Sequence, residues 1–281
     1  MDEMTPTKAP NREIDMTDAA STLNHVTSRD GTTIAFDRLG AGPPIVLVCG
    51  GSVDRTSNAG LAAELASDFT AFNYDRRGRG DSGDTLPYAV DREIEDIDAV
   101  VAAAGGSAFL YGTSSGAALA LAAAEKLPGK ITKLALWEPP FILDPNARPP
   151  ADTAKTFADL VAAGRRSDAV EHFTAKVVGL PPEFVAFAKT QPFWAAQEKI
   201  AHTLAYDATV MADYSVPLER AANVTIPTLV LAGGGSFPFM RETAQALSEA
   251  LPHGQVRVLE GQEHNVSPEA IAPALKEFLA G

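Results

Sequence analysis

Short apolar runs alternate along the chain with segments in which apolar residues recur every three or four positions. The short runs are rich in β-branched and aromatic residues, as strands are, and the longer periodic segments are typical of helices. We predict strands over residues 23–28, 32–37, 45–49, 70–74, 108–111, 134–137, 228–231 and 256–259, and helices near 60–67, 91–104, 115–126, 240–251 and 268–279. Apolar strands separated by helices predict an α/β fold, in which helices cover both faces of a parallel sheet.

The strand pattern stops between Pro139 and Pro217, where apolar residues keep the helical spacing. Prolines break regular structure, so their presence at both ends suits the boundaries of an insertion. We therefore expect a group of helices over one edge of the sheet. The predicted division is a flexible leader at 1–20, a core at 21–141 and 218–281, and a helical insertion at 142–217.

Composition and charge narrow the classes of function. Of the 281 residues, 46% are hydrophobic and 21% are charged, as in globular proteins with a sizeable core. The formal net charge of −13 repels a phosphate backbone, so we expect no nucleic acid partner. The five histidines and one cysteine form no cluster at metal-ligand spacing. No apolar run suits a signal peptide or a membrane span, so we expect a cytoplasmic protein without a membrane partner.

A candidate nucleophile follows the predicted strand at 108–111. The sequence there is Gly-Thr-Ser-Ser-Gly at 112–116, and a helix is predicted to begin at once. This G-x-S-x-G pattern between a strand and a helix is typical of a nucleophile elbow, in which a sharp turn exposes the central serine. We therefore expect Ser114, rather than Ser115, to be the nucleophile. The alternative is a loop rich in glycine and serine without catalytic meaning.

A candidate base follows the last predicted strand. His264 lies in a short segment before the helix at 268–279, where a loop carries a side chain over the end of the sheet. The other histidines lie on the first strand, in the insertion or in a turn: His25, His172, His202 and His253. Chain order and position therefore favour His264 as the base.

Two backbone N–H groups are candidates for an oxyanion hole. The strand at 45–49 ends in Gly50-Gly51-Ser52, and glycines leave backbone amides accessible. The helix after Ser114 begins with Ser115, whose N–H faces the same developing charge in an elbow. We expect Gly51 and Ser115 to be the two donors.

Together these residues resemble the alpha/beta hydrolase superfamily, from about residue 23 to the end of the chain. The loop at 73–83, Asn-Tyr-Asp-Arg-Arg-Gly-Arg-Gly-Asp-Ser-Gly, is similar to the one after the fourth strand in esterase-like and cofactor-free haloperoxidase-like members. The resemblance implies a mostly parallel eight-stranded sheet, a helical cap after strand six, a Ser-acid-His triad in that order and no cofactor. The same loop contains a G-x-G-x-x-G pattern, but no helix follows it directly, so we expect no dinucleotide site.

The acid of the triad departs from the commonest family pattern. Many members carry Asp in the loop after strand seven, whereas residues 233–238 read Gly-Gly-Gly-Ser-Phe-Pro. Other members use a carboxylate after strand six, and Glu138 follows the predicted strand at 134–137. The resemblance therefore implies the order Ser114, Glu138, His264. The other candidates for the acid are Asp75, Asp144, Glu260 and Glu263.

Aromatic residues near this site indicate the substrate. We expect the walls of a cleft between sheet and cap to be formed by Trp137, Phe141, Trp194 and Phe237, which suits a small apolar or aromatic molecule. We interpret the chain as a metal-free serine hydrolase, like a carboxylesterase or lactonase, that cleaves an ester, thioester or lactone through an acyl-enzyme on Ser114. The alternatives are perhydrolysis or cofactor-free halogenation with the same triad, and a non-catalytic ligand-binding protein on this fold. The sequence is compatible with a homo-oligomer.

Overall fold

A computed structural model of the protein describes residues 22–281, and the leader expected at 1–20 lies outside these residues. The strands are β1 Thr22–Thr27, β2 Thr33–Leu39, β3 Pro44–Val48, β4 Thr70–Tyr74, β5 Ala108–Thr113, β6 Ile131–Trp137, β7 Thr228–Gly233 and β8 Gly254–Leu259. The α-helices are α1 Ala59–Leu65, α2 Val90–Ala103, α3 Ser115–Lys126, α4 Thr153–Ala162, α5 Arg166–His172, α6 Pro182–Ala188, α7 Pro192–Lys199, α8 Leu204–Met211, α9 Leu218–Asn223, α10 Pro238–Ala250 and α11 Pro268–Ala280. One π-helical turn, Phe173–Val177, continues α5.

The eight strands form a single sheet in the order β1-β2-β4-β3-β5-β6-β7-β8. The pairs β1–β2 and β2–β4 are antiparallel, and every other pair is parallel. The prediction of a mostly parallel eight-stranded sheet is therefore confirmed. The turn between β1 and β2 has the expected chemistry, because Gly31 adopts a φ of 88° and the Asp30 carboxylate accepts a hydrogen bond from the N–H of Thr32.

Helices cover both faces of the sheet, as predicted. Successive residues of a strand point to opposite faces. In β3, Val46 contributes to the apolar cluster shared with α2, α3 and α10, whereas Leu47 contributes to the cluster shared with α1 and α11. No helix within residues 22–281 is both long and apolar enough to cross a membrane.

Six helices, α4 to α9, lie between β6 and β7, where a cap after strand six was expected. Several of them share an apolar cluster of their own that includes Phe157, Val170, Trp194 and Leu204. The insertion also contacts the core, since α8 packs against α3. Parallel strands end at the same edge of the sheet, so the loops after β3, β5, β6, β7 and β8 meet beneath these helices.

Candidate active site

Ser114 lies on a sharp turn between β5 and α3. Its φ of 55° and ψ of −128° are rarely adopted by residues other than glycine. A Cβ on Gly112 would lie 2.4 Å from the carbonyl oxygen of Gly116, and a Cβ on Gly116 would lie 2.3 Å from that of Cys49. The two glycines therefore allow α3 to approach the sheet closely, and the surrounding structure holds the strained serine backbone.

Glu138 and His264 are in direct contact at the same edge of the sheet. The distance from Oε2 of Glu138 to Nδ1 of His264 is 2.6 Å. The Glu138 side chain is fully buried, whereas the His264 side chain is 33% exposed. A proton on Nδ1 is donated to the carboxylate in this arrangement, which leaves Nε2 free to accept another proton.

The end of β7 and the loop after it hold this carboxylate in place. The backbone N–H of Gly233 donates to Oε1 of Glu138 at 2.7 Å, and the hydroxyl of Ser236 donates to Oε2 at 2.9 Å. Glu138 itself has a φ of 43°, a second strained backbone at this edge. A fully buried carboxylate needs several hydrogen-bond donors, and Gly233, Ser236 and His264 supply them.

The other candidates for the acid have different surroundings. Asp75 pairs with Arg55, and Asp144 accepts a hydrogen bond from the backbone N–H of Asn146. Within residues 22–281, Glu138 is the carboxylate that lies within hydrogen-bond reach of the His264 ring. The same part of the chain contains no group of three or more His, Cys, Asp or Glu side chains arranged to hold a metal ion.

Gly51 and Ser115, the expected oxyanion donors, line the same cavity as Ser114. A Cβ on Gly50 would lie 3.1 Å from the Cβ of Ser114, so the loop after β3 runs directly beside the serine. Ser115 is the first residue of α3, and the first N–H groups of a helix have no acceptor within it. Both N–H groups therefore belong to backbone that adjoins Ser114.

A cavity of about 920 Å³ lies between this edge of the sheet and the insertion. Ser114 and His264 line its floor, and its walls are mostly apolar. The π-helical turn contributes Phe173 and Val177, and such turns are frequent at functional sites. Other wall residues are Phe184, Phe193, Trp194, Met211, Tyr214, Phe237 and Phe239. Trp194 and Phe237 therefore lie where the sequence suggested.

Trp137 and Phe141, also expected as cavity walls, lie in the core instead. Trp137 is fully buried beneath the sheet edge, and its indole N–H donates to the carbonyl oxygen of His264 at 2.9 Å. Phe141 is 3% exposed, and its carbonyl oxygen accepts from the hydroxyl of Thr243. The Trp137 side chain belongs to the apolar cluster shared with α1 and α11. Trp137 supports the His264 loop rather than a substrate.

A buried ionic cluster beside Ser115 was not anticipated from the sequence. Asp207, on α8, accepts hydrogen bonds from Arg76 at 2.7 Å, from Arg79 at 2.8 Å and from the Ser115 hydroxyl at 2.8 Å. Arg76 also pairs with Glu93 through two hydrogen bonds of 2.7 Å. The side chains of both arginines are at most 1% exposed. Two features of the sequence could have indicated this cluster: the arginines that follow β4, and the one carboxylate in the otherwise mostly apolar helix α8.

The charges of this cluster are matched. Burial opposes ionisation of Asp207, but the charges of Arg79 and Arg76, with hydrogen bonds from Arg79 and Ser115, outweigh it and lower the pKa of the carboxyl group. Burial likewise opposes the charge on Arg76, and the carboxylates of Glu93 and Asp207 outweigh it and raise the pKa of the guanidinium. An ionised Asp207 therefore offsets positive charge beside the cavity.

Comparison with known proteins agrees with this architecture. Residues 45–274 match the sequence profile of the alpha/beta hydrolase family. The chain belongs to that family. An alpha/beta hydrolase from Sphaerobacter thermophilus DSM 20745 is 51% identical and superposes with a TM-score of 0.85, covering 91% of this chain and 100% of that one.

Two further proteins extend the comparison. A thermophilic esterase from Thermogutta terrifontis shares the fold, with a TM-score of 0.73 and 23% identity over 92% of this chain and 98% of that one. The uncharacterized hydrolase YraK of Bacillus subtilis (strain 168) is 31% identical over 123 residues, or 42% of this chain. That match spans 45% of the length of YraK, less than half of it.

The alpha/beta hydrolase fold explains why residues so distant in sequence lie at the same edge of the sheet. Ser114 follows β5, Glu138 follows β6 and His264 follows β8, and these strands are parallel members of one sheet. The resemblance seen in the sequence is confirmed at the level of family and fold.

Proposed function

We propose that this alpha/beta hydrolase is a serine hydrolase that cleaves an ester, thioester or lactone through an acyl-enzyme on Ser114. The observation that carries the proposal is the 2.6 Å contact between Glu138 and His264, at the cavity that Ser114 also lines. A serine hydroxyl is a weak nucleophile by itself and needs a base that a third group orients. Glu138 is that third group.

The first half of the reaction acylates the serine. The Oγ of Ser114 attacks the carbonyl carbon of the substrate while Nε2 of His264 takes the hydroxyl proton. The negative charge that develops on the carbonyl oxygen is stabilised by the N–H groups of Gly51 and Ser115. The intermediate then collapses, the bond to the leaving alcohol or thiol breaks, and His264 donates its proton to that group.

The second half restores the enzyme. A water molecule attacks the acyl carbon and gives a proton to His264, and the second tetrahedral intermediate has the same oxyanion donors. Its collapse releases the carboxylic acid, and His264 returns the proton to Ser114. Throughout, the Glu138 carboxylate stabilises the imidazolium and keeps Nε2 directed at the reacting atoms.

The cavity supports an apolar or aromatic substrate. Its volume of about 920 Å³ is at the upper end of the range for small-molecule sites. Aromatic and aliphatic side chains form most of its walls, as in pockets where burial of apolar surface drives binding. The carboxylate of Asp207 also faces it, but two arginines offset that charge.

The alternative of a non-catalytic binding protein rested on the loop after β7, which carries no carboxylate. The contact between Glu138 and His264 weakens that alternative, because a binding protein does not require an oriented imidazole beside a strained serine. A fluorophosphonate probe, followed by mapping of the labelled peptide, separates the two. We expect labelling at Ser114 and none in Ser114→Ala, whereas an unlabelled wild-type protein would contradict the proposal.

A further inference from the structure

Arg79 contacts the loop that carries one of the proposed oxyanion donors. Its Nη1 donates to the carbonyl oxygen of Gly50 at 2.5 Å and to that of Val53 at 3.0 Å. Arg79 is 1% exposed, so these hydrogen bonds form away from water. A hydrogen bond from a charged donor in such surroundings is stronger than one between neutral groups.

The carbonyl of Gly50 and the N–H of Gly51 belong to the same peptide unit. A trans peptide is planar, and its C=O and N–H point in opposite directions. When Arg79 fixes the direction of the Gly50 carbonyl, it therefore fixes the direction of the Gly51 N–H as well. Glycine permits many backbone conformations, so a Gly-Gly loop needs such a restraint if one peptide orientation is to persist.

Arg79 is itself held from the insertion. Its Nη2 donates to both carboxylate oxygens of Asp207, each at 2.8 Å. Asp207 also accepts from the hydroxyl of Ser115, the residue that supplies the second proposed donor. A Cβ on Gly51 would lie 3.2 Å from Oδ2 of Asp207, so this carboxylate lies against both donor residues.

We propose that Arg79 is a positioning residue that sets the orientation of the Gly50–Gly51 peptide, and that Asp207 on α8 holds Arg79 in place. The orientation of this oxyanion donor thereby depends in part on a contact between the insertion and the core. This inference rests on the proposed serine hydrolase function. It adds that Arg79, which contacts neither the substrate nor Ser114, orients a group that stabilises the transition state.

The test uses Arg79→Met and Arg79→Lys with a p-nitrophenyl ester, with kcat expressed per active site from the endpoint of fluorophosphonate titration. We expect Arg79→Met to lower kcat about 10- to 100-fold with KM nearly unchanged, less than the ~10²- to 10³-fold loss for a direct donor. Arg79→Lys keeps the positive charge but lacks the planar pair of donors, so we expect its kcat to lie between those of the wild type and Arg79→Met. Asp207→Asn leaves Arg79 beside Gly50, so we expect it to lower kcat less than Arg79→Met does.

A trifluoromethyl ketone provides a second measurement, because its tetrahedral adduct on Ser114 carries an oxyanion. We expect its inhibition constant to rise in Arg79→Met by the same factor by which kcat/KM falls, because the adduct mimics the transition state. Arg77→Met is the matched control. Arg77 is equally buried and paired with Asp96 at 2.7 Å, but it bonds to neither Gly50 nor Asp207. Arg77→Met is expected to lose stability but to keep kcat per active site.

Two results overturn the inference. One is folded Arg79→Met with kcat per active site within about twofold of the wild-type value, below the loss expected for a perturbed oxyanion donor. The other is a crystal structure of Arg79→Met with the Gly50–Gly51 peptide in its original orientation. Wild-type protein that neither hydrolyses esters nor reacts with the probe would instead contradict the serine hydrolase proposal, and the peptide orientation would still decide the structural claim.

Discussion

Oε2 of Glu138 lies 2.6 Å from Nδ1 of His264, although 126 residues separate the two in sequence. The carboxylate comes from the end of β6, and two donors hold it, the N–H of Gly233 at the end of β7 and the hydroxyl of Ser236 in the loop that follows. Glu138, at the end of β6, thus orients the imidazole, and Gly233 and Ser236 hold the Glu138 carboxylate in place.

Replacement of Glu138 by Gln should reduce turnover far more than substrate binding. The amide keeps the size of the side chain but presents an N–H to His264, which favours the tautomer with the proton on Nε2. We expect kcat to fall about 10²- to 10⁴-fold with KM little changed. Steady-state kinetics on a p-nitrophenyl ester measure this, and Asp144→Asn serves as the control. Equal losses in the two variants would reject Glu138 as the acid.

Ser114 and the adjacent Ser115 should respond differently to the same substitution. Ser114→Ala removes the nucleophile and is expected to lower kcat about 10³- to 10⁶-fold. Ser115→Ala keeps the backbone N–H and loses only the hydroxyl bonded to Asp207, so we expect less than about a tenfold loss. Kinetics of both purified variants provide the comparison. Similar losses of kcat in the two variants would contradict the assignment of Ser114 as the nucleophile.

The sequence predicted those features that depend on local pattern. The apolar runs identified each strand, and the G-x-S-x-G pattern placed Ser114 between β5 and α3. Glu138 followed from the absence of a carboxylate in residues 233–238 combined with the family resemblance. The roles assigned to Ser114, Glu138 and His264 remain predictions.

Features that depend on packing were harder to foresee. The pairing of Asp207 with Arg76 and Arg79 joins α8 to the loop after β4 and leaves no periodic signal. Trp137 and Phe141 were expected near the site from their positions along the chain, but their side chains belong to the two apolar clusters of the core. Local patterns therefore located the site, and long-range contacts determined its walls.

The glycines of the elbow should be intolerant of even one methyl group. A Cβ on Gly116 would lie 2.3 Å from a backbone oxygen, so Gly116→Ala must push α3 away from the sheet. We expect a loss of about 3 kcal/mol in the free energy of unfolding, as for severe overpacking. Gly83→Ala is the control, since its Cβ would meet atoms at 3.5 Å, an ordinary contact. The free energy of unfolding is measured in urea for both variants. Equal losses in the two would contradict this explanation.

The contribution of Asp207 to stability should depend on pH. Its pKa is lowered in the folded state, so the ionised carboxylate stabilises the protein above the unfolded value of about 3.9 and loses this effect as pH falls below it. We expect Asp207→Asn to cost about 3 kcal/mol at neutral pH, as for a broken buried ion pair. The difference from wild type should narrow towards pH ~3 in urea unfolding.

An exposed carboxylate provides the matched comparison for Asp207. Asp159 pairs with Lys155 on the surface of α4, and both side chains are largely exposed. Asp159→Asn should therefore change the free energy of unfolding by less than about 1 kcal/mol at neutral pH. A loss in Asp207→Asn that is as small as this, or that stays constant down to acidic pH, would argue against an ionised Asp207 as a stabilising group.

A covalent intermediate on Ser114 is the defining feature of the proposed mechanism. A p-nitrophenyl carbamate transfers its carbamoyl group to a serine nucleophile, and the product hydrolyses slowly enough for mass spectrometry of the intact protein and its peptides. We expect one carbamoyl group per protein on Ser114, release of p-nitrophenol in equal amount, and no adduct in Ser114→Ala. Carbamoylation of another residue, or turnover of ester substrates without any adduct on Ser114, would contradict this mechanism.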